Sequence, residues 1–85
     1  MNRLKSIPVA ALIALLLASC ASYNAYQKAK TAEKAKDWDV AVVQYEKAVE
    51  IDPDNREYKL GLDRSRREAS RAHFEKAKSM VAAMK

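Results

Sequence analysis

The sequence has two side chains whose types could do chemistry on their own, the single cysteine Cys20 and the single histidine His73. One cysteine excludes an internal disulfide and a zinc site built from cysteines. His73 has no second histidine to work with, so it is more typical of a surface or partly buried residue than of a ligand or a base. The chain also has only one glycine, which excludes a glycine-rich phosphate loop. These residue types predict no enzyme, no cofactor and no metal site, and they favour binding, tethering or scaffolding.

The chain is short and rich in residues that form helices. Its 85 residues make at most one small domain, and a domain of this size buries too little surface for a deep pocket that excludes water. Alanine, lysine, glutamate, leucine and arginine dominate, whereas glycine and proline number one and two. This composition is typical of helices, so we expect an all-α fold.

An apolar run precedes the cysteine. Residues 1–6 carry Arg3 and Lys5 and no acid, and residues 7–18 are apolar and uncharged. Twelve helical residues span about 18 Å, well short of the ~30 Å hydrocarbon core of a bilayer. The run therefore predicts the apolar region of a cleavable signal peptide rather than a stable transmembrane helix.

The apolar run ends in a four-residue motif formed by Leu17, Ala18, Ser19 and Cys20. The motif resembles the lipobox of bacterial lipoproteins, in which an aliphatic residue and two small residues precede the acceptor cysteine. The resemblance implies that a lipid is joined to the Cys20 thiol and that a peptidase cuts before Cys20. Residues 1–19 would then be the signal peptide, and residues 20–24 would be the lipid anchor and a short linker.

Lipidation at Cys20 would fix the location of the chain. Two or more acyl chains hold a protein stably on a bilayer, and the residue after the cysteine is Ala21 rather than Asp. That pattern is similar to outer-membrane lipoproteins, which implies the periplasmic face of the outer membrane. The alternative is an ordinary cleavable signal with an incidental cysteine. Export from the cytoplasm argues against a nucleic-acid partner.

A second motif lies before the central proline, where residues 37–55 read DWDVAVVQYEKAVEIDPDN. Ala41, Tyr45 and Ala48 follow the 3.6-residue period of one helix face. The pattern resembles the second helix of a tetratricopeptide repeat, a helix–turn–helix unit of about 34 residues. The resemblance covers residues 22–55, with the repeat itself at residues 25–55. The alternative is a generic amphipathic hairpin.

The repeat resemblance implies packing roles for six residues, which are Ala29, Trp38, Ala41, Tyr45, Ala48 and Pro53. Ala29 and Ala41 would let two helices approach closely, and Tyr45 would fill the gap between them. Trp38 stands at the usual aromatic position of the turn, and Pro53 ends the second helix. The sequence departs from the family pattern at Lys28, Ala32 and Lys36, where the family usually has a leucine, a tyrosine and the turn glycine, respectively.

The periodicity predicts where the helices lie. We expect helices at about residues 23–36 and 39–51, with Asp37 or Asp39 capping the second. Asp54 with Glu57 resembles a capping box for a third helix. No glycine or proline interrupts residues 62–85, so residues 56–85 predict one long C-terminal helix or two nearly continuous ones, which could begin further repeats.

A single repeat is expected to be incomplete. Repeat units cannot bury their apolar faces alone, and about three are normally needed. The predicted apolar stripe of the last helix comprises Tyr58, Leu62, Ala69, Ala72, His73, Ala77, Met80, Val81 and Met84. The domain is therefore marginal alone, pairs with a second copy or a partner, or is the front of a longer chain.

Charge is unevenly distributed and supplies candidate contacts for a partner. Residues 21–55 hold five lysines and seven acids, whereas residues 56–85 hold nine basic residues and four acids. Arg64, Arg67 and Arg71 share one helix face, which could meet phospholipid headgroups or an acidic segment. The alternative is a solvated face with Glu68 and Glu75 as partners.

Near the anchor, a second candidate contact surface is formed by Tyr23, Tyr26 and Lys30. These residues could touch a peptide, or the two tyrosines could lie in the membrane interface. The resemblances together imply a membrane-anchored tetratricopeptide lipoprotein that acts as a protein-interaction or scaffold module in the bacterial cell envelope. One alternative is the leading segment of a secretin-type outer-membrane secretion protein. Another is a small assembly lipoprotein for a secretion or pilus machine.

Overall fold

A computed structural model describes residues 8–84 and contains three helices in that range, with no strand. They are α1 (Val9–Lys34), α2 (Trp38–Ile51) and α3 (Arg56–Ala83). The chain runs up, down and up again through two short turns, and α2 packs against both α1 and α3. The predicted all-α fold class is confirmed for this part of the chain.

The three helices meet through small residues and a few aromatic rings. Their buried residues recur every three or four positions, as expected for one face of a helix. On α1 they are Ser22, Ala25, Ala29 and Ala32; on α2 they are Ala41, Tyr45 and Ala48; on α3 they are Tyr58, Gly61, Leu62, Ser65 and Ala69. Because alanine presents only a methyl group, the helices can approach closely, and the tyrosine rings supply most of the volume between them.

The turn between α1 and α2 ends the first helix with a left-handed residue. Lys36 has φ 59°, a conformation that glycine adopts most readily. The backbone N–H of Lys36 donates to the carbonyl of Glu33, and that of Asp37 donates to the carbonyl of Ala32 over 2.8 Å. These two bonds form a Schellman motif, which satisfies carbonyls that the end of α1 leaves free.

The turn between α2 and α3 contains Pro53 and is closed by a cap on α3. The Asn55 side chain accepts a hydrogen bond from the backbone N–H of Tyr58 over 3.1 Å, which satisfies one free donor of the first turn. The predicted capping residue Asp54 is therefore wrong by one position. At the start of α2, Asp37 holds the capping position without a side-chain hydrogen bond to the helix.

Two helix segments extend past the three-helix core, in opposite directions. The first turns of α1 extend past the end of α2, and the last turns of α3 extend past its start, so the described chain measures 75 × 18 × 16 Å. Residues 56–83 form one uninterrupted helix, which decides between the two predicted alternatives. Residues 20–24, predicted as an anchor and short linker, lie within α1, and Ser22 is buried.

Candidate functional site

Cys20 is a free, exposed cysteine on the part of α1 that leads into the core. Leu17, Ala18 and Ser19, the remaining residues of the predicted lipobox, are exposed as well. The first buried residue, Ser22, follows Cys20 by two positions, and its hydroxyl donates to the carbonyl of Ser19 over 3.0 Å. The thiol is thus accessible without any opening of the core, while the core begins immediately after it.

The residues to which the repeat resemblance gives packing roles are found in and around the core. Ala29, Ala41, Tyr45 and Ala48 have no exposed surface. Tyr45 lies in one cluster with Ala29, Ala41 and Leu62, which brings residues from all three helices together. Trp38 is half-buried at the start of α2, whereas Pro53 is exposed in the second turn.

A polar network, which was not predicted from the sequence, joins the three helices beside this cluster. The Tyr45 hydroxyl donates to Oε1 of Glu33 over 2.5 Å. Arg64 donates from Nε to Oε2 of Glu33 over 2.9 Å and from Nη2 to Oε1 over 2.7 Å. Such a two-pronged arginine–carboxylate pair is stronger and more directional than a single bond. The network therefore fixes the position of α3 relative to α1.

The network shifts the pKa of each of its members. Hydrogen bonds from Arg64 hold the pKa of the Glu33 carboxyl below its usual value, against the opposing effect of partial burial. Burial, together with the neighbouring Glu33 carboxylate, raises the pKa of the Tyr45 hydroxyl above its ordinary range. Glu33 is thus ionised and Tyr45 is neutral near pH 7, which are the states that the hydrogen bonds require.

Of the three arginines predicted to contact a partner, the structure commits one to the protein itself. Arg64 is held by Glu33, with its side chain still 43% exposed, so the predicted contact of Arg64 with a partner stays a prediction. Arg71 lies 3.5 Å from Glu68, one turn away on α3, and Arg67 is exposed. Periodicity places all three on one helix face but cannot reveal that the face meets Glu33 of α1.

The predicted contact residues on α1 form part of an aromatic cluster. The Tyr26 ring lies 5.0 Å from the Tyr58 ring and 6.1 Å from the Tyr45 ring, measured between centroids. Tyr23 lies at its other side, 6.5 Å away and exposed, and the Lys30 ammonium is 5.7 Å above the Tyr26 ring. Tyr26 is therefore half-buried and packs α1 against α3, whereas Tyr23 is exposed and can contact another surface.

The single glycine of the chain allows α3 to approach α2. A Cβ atom built on Gly61 would lie 2.5 Å from Cζ of Tyr45, a separation far below van der Waals contact. Gly61 lies inside a helix and has no unusual backbone angle, so its role is to leave room for the Tyr45 ring. The 3.6-residue period could have predicted that Gly61 lies on the buried face of α3, since it falls one turn after Tyr58.

His73 makes a specific contact at the start of α2. Its Nε2 lies 2.9 Å from Oδ1 of Asp39, and both side chains are exposed. The pair borders a shallow cleft whose other residues include Trp38, Ala69 and Lys76. Within residues 8–84, no cluster of three or more histidine, cysteine or carboxylate side chains could hold a metal ion.

By length and composition, α1 is the one helix of residues 8–84 that could cross a membrane, a criterion that a signal sequence near the N-terminus also meets. The sequence matches no family model, and comparison with curated proteins and with solved structures gives no match either. The lipobox and repeat resemblances therefore remain predictions from the residues.

Proposed function

We propose that this chain is a lipoprotein of the bacterial cell envelope, anchored through a lipid on Cys20, and that its helical hairpin docks another protein. The observation that carries the proposal is the place of Cys20 on α1. It is exposed at the end of an apolar helical segment, and two residues later the buried face of the hairpin begins at Ser22. A lipid at that position would hold the hairpin directly on the bilayer surface.

The length of the free part of α1 favours a lipid anchor over a spanning helix. From Ser22 onward, α1 contributes buried residues to the core, so those residues are not available to line a hydrocarbon phase. Residues 9–21 are the exposed apolar portion, and thirteen helical residues span about 20 Å. A bilayer core is ~30 Å thick, so this segment suits a signal peptide that is removed before Cys20.

Docking of another protein is supported by how the hairpin uses its residues. Its polar contacts between helices, including the Glu33–Arg64 pair, position the helices relative to one another. The described chain also exposes aromatic side chains away from this pair, with Tyr23 on α1 and Phe74 on the C-terminal half of α3. Exposed apolar patches rimmed by charge are typical of protein contacts. We therefore assign the hairpin a scaffold role.

The test is incorporation of labelled palmitate into the intact chain in growing bacterial cells. We expect label in the natural sequence, none in Cys20→Ser, and none in Cys20→Ser/Ser70→Cys, which moves an exposed thiol to α3. Mass spectrometry of the labelled product should place Cys20 at its amino end. Label that persisted in Cys20→Ser would overturn the anchor, as would a native product with an intact, unmodified amino end.

A further inference from the structure

The free end of α3, residues 70–84, exposes an apolar stripe. Phe74, Ala77, Val81 and Met84 are spaced by three, four and three positions, so they lie along one side of the helix over about 15 Å. The three larger residues of the stripe are 59 to 86% exposed. This spacing is that of the two apolar positions of a heptad repeat, which form the contact line between paired helices. The stripe therefore fits the apolar side of another helix.

The stripe begins where the buried part of α3 ends. In the turns before it, the equivalent heptad positions hold Arg67 and Ser70 rather than apolar residues. Residues 56–69 bury side chains against the other helices, whereas residues 70–84 bury none. On a helix, the stripe falls about 100° away from Ala69, the last buried residue of α3. The described part of the chain therefore leaves the stripe uncovered.

One flank of the stripe is basic. Arg71 and Lys78 occupy the same position of the heptad, next to the apolar positions, where side chains meet the flank of a partner helix. Arg67 lies on the same flank, one turn before Arg71. Glu75, the one acid among residues 70–84, falls about 140° from the stripe, on the far side of the helix. A partner therefore meets positive charge beside the apolar side chains.

The basic side chains of this flank are available to a partner. Arg71 is 71% exposed and lies 3.5 Å from Glu68, and an exposed pair of this kind contributes little to stability. Lys78 is exposed as well. The opposite flank faces the start of α2, where Nε2 of His73 lies 2.9 Å from Oδ1 of Asp39. The flank with Arg71 and Lys78 is thus the one that is open to a partner.

We propose that the free end of α3 docks an amphipathic helix of another protein, which carries glutamate or aspartate beside its apolar positions. The stripe supplies the apolar contact, and Arg71 and Lys78 determine the partner, since charges next to the apolar positions decide which helices pair. A stripe of about 15 Å requires about three turns of the partner helix. The proposal names the chemistry of the partner and rests on the docking role proposed above.

Two other occupants fit the observations less well. In a pair of two copies through their stripes, Arg71 would face Arg66 of the second copy when the helices are parallel and the basic flank when they are antiparallel, which costs affinity. An anionic bilayer would attract the basic flank, but α1 and α3 run in the same direction. The free end of α3 thus leaves the core at the end opposite the apolar part of α1. A bilayer that holds residues 9–21 would lie far from Phe74 and Met84.

The first test measures binding of a synthetic helix to the full chain in neutral lipid nanodiscs, by fluorescence anisotropy. The probe is a labelled peptide of about three heptads, with leucine at the apolar positions and glutamate beside them. We expect it to bind. A peptide of the same composition with its leucines dispersed around the helix should bind about tenfold more weakly or less, because it presents no apolar side.

The second test exchanges the charges. Arg71→Glu/Lys78→Glu should weaken binding of the glutamate-flanked probe about tenfold or more, since like charges then face each other. The same variant should gain affinity for an analogue of the probe with lysine in place of glutamate. The matched control is Arg56→Glu/Lys59→Glu, an equal change of charge at exposed positions at the other end of α3. It should leave both affinities within about twofold, because salt screens the more distant charges. Circular dichroism checks that each variant keeps its helix content.

The third test locates the contact by cross-linking, with Cys20→Ser throughout so that the engineered thiol is the only one in the chain. Ala77→Cys should cross-link to a probe that carries a thiol at one of its apolar positions. The matched control is Ser79→Cys, on the opposite side of α3, and it should give little product.

Each outcome decides for or against the proposal. Preference for the probe over the dispersed peptide, reversal by Arg71→Glu/Lys78→Glu and the Ala77→Cys product together support it. Equal binding of both peptides, or an equal loss in the control variant, would show bare charge attraction and overturn it. Cross-linking between two Ala77→Cys chains would assign the stripe to a second copy instead. Retention by anionic but not neutral vesicles that Arg71→Glu/Lys78→Glu removes would assign the flank to lipid.

Failure of this proposal is distinguishable from failure of the proposed function. A chain that incorporates palmitate on Cys20 but does not bind the probe keeps its anchor and loses only the assignment of α3. Binding that Tyr23→Ala abolishes and Phe74→Ala leaves unchanged would keep the docking role, place it on α1 and overturn the assignment of α3.

Discussion

The two halves of α3 have the same backbone conformation, but they differ in what they contact. Residues 56–69 bury Tyr58, Gly61, Leu62, Ser65 and Ala69 against the other helices, whereas residues 70–84 bury no side chain. The second half continues as a helix because alanine, lysine, glutamate and methionine favour that conformation, and because extending an existing helix is easier than starting one. The helical conformation of residues 70–84 is therefore determined by their own sequence, whereas the position of α3 is determined by the packing of residues 56–69.

The largest expected contrast between the halves comes from removing one aromatic ring from each. Tyr45→Ala should lower the free energy of unfolding by about 4 kcal/mol, since it leaves a cavity beneath the first half of α3. Phe74→Ala, which truncates an exposed ring on the second half, should change it by less than about 0.5 kcal/mol. Urea unfolding followed by circular dichroism measures both values. Equal losses would show that the end of α3 is buried in solution.

Gly61 offers a test in which the sign of the effect is informative. Glycine to alanine inside an exposed helix normally stabilises by about 1 kcal/mol. At Gly61 the added methyl group meets the Tyr45 ring, so Gly61→Ala should instead destabilise by about 2 kcal/mol. Ser79→Ala is the control on the second half of α3, and it should be neutral or slightly stabilising. A stabilising Gly61→Ala would mean that α3 lies farther from α2 than the structure shows.

The Glu33–Arg64 pair predicts how the stability of the first half depends on pH. The pKa of Glu33 is lower in the folded chain than its ordinary value of 4.5. The unfolded chain therefore binds the proton more readily, and stability is lost as the pH falls below about 4.5 through the folded pKa. Glu33→Gln should cost about 1 kcal/mol at pH 7 and should flatten this dependence. Arg67→Gln, which alters an exposed arginine, should leave both stability and its pH dependence unchanged.

The smallest expected effect is at the turn that leads into α2. Lys36 holds a left-handed backbone conformation, which costs a residue with a Cβ about 1 kcal/mol. Lys36→Gly should stabilise the chain by about 0.5 kcal/mol, because glycine relieves this cost but loses more entropy on folding. Lys34→Gly, inside the last turn of α1, is the control and should destabilise. A destabilising Lys36→Gly would argue against the left-handed turn.

The parts of the fold that could be predicted from the sequence are those set by local pattern. A 3.6-residue period and the scarcity of glycine and proline give the helices, and the spacing of Ala41, Tyr45 and Ala48 gives one face. Contacts between distant residues were not predictable in this way, since no local rule pairs Glu33 with Arg64 across 31 positions. The cap at Asn55 in place of Asp54 was missed because both residue types cap equally well.

The exposed cysteine illustrates the same limit for the candidate site. Its predicted chemistry rests on the four residues that end at Cys20, and the sequence predicted an anchor and a short linker at residues 20–24. The structure instead continues α1 through residues 20–24, because Ser22 and Ala25 face α2 and extend its packing surface. Whether a polar stretch becomes a linker or a helix thus depends on the helix that lies beside it.

Because α3 is one continuous helix, the direction in which the side chains at its end point depends on the number of residues before them. A helix turns by about 100° per residue, so every insertion between Leu62 and Phe74 rotates the tip of α3 as it lengthens it. Four added residues would turn the last residues of α3 back to nearly their original direction around the helix axis, about one helical pitch farther along it. Two added residues would turn them to the opposite side of the helix. In the continuous helix from Arg56 to Ala83, the number of residues therefore determines the side of the molecule to which the side chains at its end point.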